Sequence, residues 1–185
     1  MRVNYEAIDV SQNKITQLDQ YQSVIIAFTD LEKISGKSHY LMDWVENGGS
    51  LLFAIRPDPS STFTAIYRKL GILSKYDDLQ TVRGLDYKTD IIPGARSISL
   101  NEDFLSHSSL IVELDDQSQI HITSADRYQM PLLWEYDYGK GRIVFINTDQ
   151  FTLKNARGTI AAAYSLLFDV FAYPVINSSI FFIDD

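Results

Sequence analysis

Two apolar runs, "SVIIAFTD" (23–30) and "SLLFAIRPD" (50–58), enclose one amphipathic segment, "SGKSHYLMDWVENGG" (35–49), and this arrangement limits the fold more than any other stretch. Each run is β-branched, aliphatic or aromatic without alternation, the pattern of a strand covered on both faces. The segment between them sets Tyr40, Leu41, Trp44 and Val45 on one helical stripe and stops at Asn47-Gly48-Gly49. Strand, helix and strand with short joins make a βαβ unit, which requires parallel strands and a right-handed crossover.

The flanks extend this unit. "RVNYEAID" (2–9) alternates weakly and predicts a strand near an edge, while "SQNKITQLDQYQ" (11–22) fits a loop or a poor helix. Ser60 or Ser61 caps a helix carrying Phe63, Ile66, Tyr67 and Leu70 at i, i+3, i+4 and i+7, with Gly71 as its stop. From Tyr76 to Pro131 the period changes to short strand-like pieces such as "ARSISL", "SLIVEL" and "QIHITSA", separated by Asp, Gly and Ser turns. These predict a β-rich antiparallel insertion on one side of the parallel sheet. "YDYGKGRIVFIN" (136–147) is the clearest hairpin, turning at Tyr138-Gly139-Lys140-Gly141. "RGTIAAAYSLLFDVFA" (157–172) predicts a largely buried helix with Ile160, Tyr164, Leu167 and Phe171 inward. No internal repeat or low-complexity linker interrupts the chain.

Composition narrows the function classes. The chain has 185 residues, of which 45% are hydrophobic, enough for one domain with a sizeable core. Its net charge of −8, without any basic run, argues against nucleic acid or an anionic membrane as partner. The absence of cysteine removes thiolate nucleophiles, Cys-ligated zinc and disulfides together. "MRVNYEAIDV" lacks a signal-peptide apolar core, and the most hydrophobic stretch, near residues 160–176, is broken by Asp169 and Pro174; no direct membrane insertion is expected.

Candidate sites follow from position. Asp30 stands at the carboxyl end of a predicted parallel strand, where α/β sheets place ligands, although an Asp there also serves as a turn or cap residue. Arg56 occupies the equivalent place after the next strand and can hold an anion near a helix N-terminus, or pair locally with Asp58. His39, His107 and His121 have no metal-site spacing, and no G-x-S-x-G elbow supports a hydroxyl nucleophile. No metal and no cofactor are expected. "GKG" (139–141) reads as a turn rather than a phosphate loop, and the "NSS" sequon at 177–179 reads as coincidence.

The order "YQSVIIAFTD", then "LMDWVENGGSLLFAIRP", then "YGKGRIVFINTDQF" resembles class I glutamine-amidotransferase-like domains. That resemblance implies a flavodoxin-like three-layer α/β sandwich with a mainly parallel central sheet. Such folds open with a central strand and helix ahead of the strand that "RVNYEAID" resembles, and this chain begins after them. Enzymes of that family use a cysteine nucleophile at a strand-to-helix elbow, so amidotransferase activity is not implied here. Similar non-catalytic versions are attached to carbohydrate-active enzymes. The ending "SSIFFIDD" is similar to the first strand of polysaccharide-deacetylase-like domains. By that resemblance Asp184 is the base on water and Asp185 the metal ligand. The family's downstream H-x-x-x-H pair is missing from this chain, which leaves the two aspartates inert within it.

These readings divide the chain into an amidotransferase-like domain over 1–176 and, over 177–185, the opening of a deacetylase-like domain. They resemble an uncharacterised bacterial family joining the two, some members of which look associated with Pel-type exopolysaccharide systems. The resulting expectation is a non-catalytic accessory domain of an envelope-associated, extracytoplasmic carbohydrate-modifying protein, with polysaccharide or other envelope proteins as partners. Two alternatives stand beside it. One is a hydrolase with a Ser or carboxylate site near Asp30 and Arg56, recognisable by a hydroxyl within reach of a histidine. The other is a sugar-binding module, recognisable by an exposed row among Tyr87, Tyr128, Tyr136 and Tyr138.

Overall fold

The computed structural model describes residues 4–11, 17–92, 96–100, 107–149 and 155–168. In chain order come β1 (Ser23–Ile26), a 3-10 segment over Leu31–Lys37, α1 (Ser38–Glu46), β2 (Ser50–Phe53) and α2 (Ser61–Ile66), which tightens into a 3-10 turn over Tyr67–Leu70. There follow β3 (Ile72–Thr81), β4 (Gly84–Tyr87), β5 (Ser97–Ser99), β6 (His107–Leu114), β7 (Gln119–Ser124), β8 (Pro131–Tyr138), β9 (Gly141–Ile146) and α3 (Asn155–Leu167). The two long apolar runs pair as parallel neighbours, Ser23 opposite Ser50 and Ile26 opposite Phe53. β9 continues the parallel set, with Arg142 opposite Ser50 and Phe145 opposite Phe53.

Beyond these three strands the sheet departs from the mainly parallel, flavodoxin-like layout. Among the described residues the seven-stranded sheet has the order β1-β2-β9-β8-β7-β4-β5, and every pairing from β9 onward is antiparallel. The connections are the cause. Only Gly139 and Lys140 separate the paired residues Tyr138 and Gly141, and a link that short can only reverse the chain. Gly139 supplies the positive φ, 64°, that such a turn needs. The β-rich stretch therefore extends the sheet instead of standing beside it, except for β3 and β6, which form a separate antiparallel ribbon.

The sheet is covered on both faces, giving three layers of mixed α/β structure. On one face Leu51, Phe53, Ile143, Phe145 and Trp134 pack with Leu41 and Val45 of α1, Phe63 and Ile66 of α2, and Leu110 and Val112 of the ribbon. On the other, Leu52, Val144, Ile146 and Leu133 meet Ala162, Ala163 and Leu167 of α3. Alternate residues of β2 and β9 feed opposite cores, which is why both strands read as unbroken apolar runs. Trp134 and Phe145 are opposite each other across β8 and β9 and stack at 4.5 Å between ring centres. The Trp134 indole N–H donates to the Leu70 carbonyl at 3.0 Å, so this large buried ring leaves no polar atom unsatisfied.

Several expectations need correction. Residues 4–9 form no strand: Tyr5 is 87% exposed, and nothing buries the alternating set. Among the described residues β1 is the sheet edge rather than a strand covered on both sides, and its Ile25 is 40% exposed. On α1 Tyr40 faces outward, its hydroxyl accepting the Leu18 N–H, while Met42 takes a core place instead. The cap of α2 is Ser60, whose hydroxyl accepts the Phe63 N–H at 3.1 Å, and Gly71 ends that segment with φ 78° as expected. Phe171 and the whole of 177–185, including Asp184 and Asp185, lie outside the described residues.

The "NGG" and "GKG" motifs are two halves of one junction. The Lys140 N–H donates to the Glu46 carbonyl (2.9 Å), and the Arg142 N–H to the Gly49 carbonyl (3.2 Å), so the hairpin turn docks on the end of α1. A Cβ on Gly141 would collide with the carbonyl oxygens of Val45 and Gly49, both of them backbone atoms with little room to yield. Gly141→Ala should therefore lower unfolding free energy by about 2 kcal/mol or more, measured by urea denaturation. A change at Lys140, exposed at the same turn, should stay within about 0.5 kcal/mol.

Candidate functional site

Because β1, β2 and β9 run parallel, their carboxyl ends lie together, and the chain leaves them at 27–30, 54–58 and 147–149. Open α/β sheets take ligands at such an end. Here it is occupied by Arg56, only 4% exposed. Its Nε donates to the Ser108 carbonyl at 3.0 Å, Nη1 to the Pro57 carbonyl at 3.0 Å and to Asp58 Oδ1 at 3.3 Å, and Nη2 to Asp149 Oδ2 at 2.6 Å. The backbone closes the same ring: the Arg56 N–H donates to the Thr148 carbonyl, and the Asp149 N–H to the Ser108 carbonyl, each at 3.2 Å. A buried guanidinium needs this set of acceptors, because taking the charge out of water is otherwise costly.

Asp58 thus pairs with Arg56 and is also tied to the strand exit beside it, its N–H donating to the Thr29 carbonyl at 2.9 Å. Asp30 does not join the cluster. Its carboxylate caps the 3-10 segment over Leu31–Lys37 by accepting the Glu32 N–H at 3.1 Å. The Glu32 carboxylate accepts the Thr62 N–H and the Ser61 hydroxyl at the start of α2, and these bonds hold it below the ordinary carboxyl range.

Residues that sequence reasoning missed complete the site. Asn147 is fully buried; its Oδ1 accepts the Leu110 N–H, and its Nδ2 donates to the carbonyls of Leu110 and Pro131, at 2.9–3.0 Å. This clips β6 of the ribbon to the ends of β8 and β9. The signal was present in "INTD", a polar run directly after an apolar strand, but nothing local says which partners it meets.

A second polar cluster crosses the sheet on the α3 side. Buried His121 has Thr89 Oγ1 2.8 Å from Nδ1 and Glu135 Oε1 3.2 Å from Nε2. Arg142 Nε lies 3.7 Å from Glu135 and 3.6 Å from Asp137, and its Nη1 donates to the Leu166 carbonyl of α3. The His121 hydrogen bond, with Arg142 further away, holds the Glu135 carboxyl below its ordinary value against the opposing effect of burial. Among the described residues no group of His, Asp and Glu is placed to hold a metal ion, and no helix is long and apolar enough to cross a membrane.

A family model described as "Uncharacterised protein conserved in bacteria (DUF2194)" matches residues 1–92 and 77–185. No curated protein matches the sequence significantly. Among solved structures, a cytoplasmic protein of Salmonella typhimurium LT2 is similar with TM-score 0.61 and 15% identity, over 85% of this chain and 76% of the other. A ThuA-like protein from Parabacteroides merdae ATCC 43184 is similar with TM-score 0.57 and 12% identity, over 94% and 80%. The exo-β-1,4-mannosidase Op5Man5 from Opitutaceae bacterium strain TAV5 is similar with TM-score 0.50 and 20% identity, over 85% of this chain but 27% of that one. At these identities the likeness is one of fold.

Two outcomes test the clusters. Arg56→Met should cost about 3 kcal/mol in chemical denaturation, since it leaves the Asp149 carboxylate without its cationic partner; Arg56→Lys should recover only part, lacking the planar fork. Glu135, with its folded pKa depressed, contributes stability that is present above its unfolded-state pKa and lost as pH falls through the folded value. Thermal midpoints should therefore fall as pH drops below about 4, and Glu135→Gln should flatten that part of the profile.

Proposed function

The chain belongs to this bacterial family, and from that premise we propose that it is a non-catalytic α/β accessory domain of a larger, envelope-associated carbohydrate-modifying protein, positioning glycan or contacting protein. The observation that carries this reading is the Arg56 cluster. The end of the sheet where this architecture takes ligands is filled by a guanidinium already bonded to two carboxylates and two carbonyls. The chain's resemblance to amidotransferase-like domains comes without the cysteine on which their chemistry depends. The deacetylase-like reading of Asp184 and Asp185 likewise needs an H-x-x-x-H pair that the chain lacks. A fold of this kind inside a mannosidase chain is consistent with an accessory place in a carbohydrate-active protein. An exposed aromatic platform is not part of the reading, since of Tyr87, Tyr128, Tyr136 and Tyr138 only Tyr128 is exposed.

One observation favours a second reading, a hydrolase: the hydroxyl–imidazole–carboxylate row of Thr89, His121 and Glu135. Against it, His121 is buried, 3% exposed. Incubating the protein with glutamine, acetylated sugars and simple esters separates the two. No release of ammonia, acetate or acid is expected. Robust turnover abolished by Thr89→Val would overturn the accessory reading in favour of the hydrolase.

A further inference from the structure

At the opposite end of the parallel strands the surface opens instead of closing. A cleft of about 160 Å³ is lined by Gln22, Ser50, Asp137, Lys140 and Arg142 with the backbone of Gly48 and Gly141, and Leu167 of α3 borders it. Its walls are the "NGG" and "GKG" junction, so glycine backbone rather than side chain forms part of the floor. The polar residues are not scattered. Ser23 is opposite Ser50, Ser50 opposite Arg142, and Arg142 opposite Asp137 across β1, β2, β9 and β8. Residues directly opposite one another share a face, so these four make one polar row on the α3 side. Three of the four, Ser50, Arg142 and Asp137, line the cleft, while the Ser23 hydroxyl is buried beside it.

We propose that this cleft binds one neutral pyranose unit of a glycan, a proposal that rests on the glycan-positioning part of the function above. Its hydrogen-bonding groups alternate in kind. Lys140 and Arg142 only donate, Asp137 only accepts, and Ser50 and Gln22 do both. Vicinal hydroxyls of a sugar present the same mixture of donors and acceptors. A bare anion is a poorer match, because Asp137 and Glu135 stand 3.6 and 3.7 Å from the Arg142 Nε and offset its charge. A lipid or a flat aromatic ligand is excluded by the nearly wholly polar lining. The volume suits a single ring.

The test is an NMR titration of the chain with methyl glycosides of glucose, galactose and mannose, alongside inorganic phosphate and glucuronate. At least one neutral glycoside should shift the amides of Gly48, Ser50, Gly141 and Arg142 with a millimolar dissociation constant, as expected for so small a ligand. Asp137→Ala and Lys140→Ala, both at exposed positions, should each weaken that binding about tenfold with the spectrum otherwise retained. Saturation by phosphate or glucuronate without any neutral glycoside would make this an anion site and overturn the proposal. So would the absence of shifts, shifts elsewhere on the protein, or unchanged affinity in both variants. If the cleft binds no sugar while the protein stays inert toward the substrates named above, only the cleft is lost. If the protein turns those substrates over, the accessory reading falls whatever the titration gives.

Discussion

The guanidinium of Arg56 is the constraint around which one end of the molecule is arranged. A charge this deeply buried is tolerated only if acceptors surround it, and they come from separate parts of the chain: the loop after β2, the start of β6 and the exit of β9. Meeting that demand brings the β3–β6 ribbon over the ends of the parallel strands. Asn147 fastens the same ribbon a second time through the backbone of Leu110. Once the ribbon is held there, Leu110 and Val112 complete the core already formed by Phe53, Phe63 and Phe145.

The two ends of the parallel strands therefore have opposite characters. At the carboxyl end the buried Arg56 guanidinium is bonded to groups of the protein itself. At the amino end glycines bring backbone close to backbone, and Ser50 of β2, Arg142 of β9 and Asp137 of β8 line a cleft. The helix α1 serves the amino end through its length: it returns the chain so that Glu46 and Gly49 meet the hairpin turn, and so that β2 emerges beside β1. Function in such a molecule is better sought where polar groups are still available than at the end the fold customarily uses.

How much of this was legible depends on sequence distance. The βαβ unit was readable because burial on both faces leaves an unbroken apolar run, and the hairpin because Tyr138-Gly139-Lys140-Gly141 has the chemistry of its turn. The extent of the antiparallel sheet was not. Whether β7 and β4 join the main sheet or form a body of their own is decided by pairings remote in sequence, which short alternating segments do not specify. The same division holds at the site. Arg56 with Asp58 is a pair two residues apart and was foreseen as one alternative, whereas Asp149, 93 residues from Arg56, makes the shorter bond. Asp30 had two readings, and its structural role is that of a cap. Ile25 and Tyr40 were misplaced because periodicity gives a buried stripe without saying which strand ends the sheet or how far a helix face turns outward.

The most direct measurement is a double-mutant cycle between Arg56 and Asp149, using Arg56→Met, Asp149→Asn and the double variant in urea denaturation. If the guanidinium is committed to closing the carboxyl end of the sheet, the two positions are coupled by about 2 kcal/mol, within the range of contacting charged pairs. A coupling near zero, with both single variants as stable as the parent, would mean that Arg56 is not held by this network, and would contradict the structural role assigned to that end and remove the observation behind the proposed function.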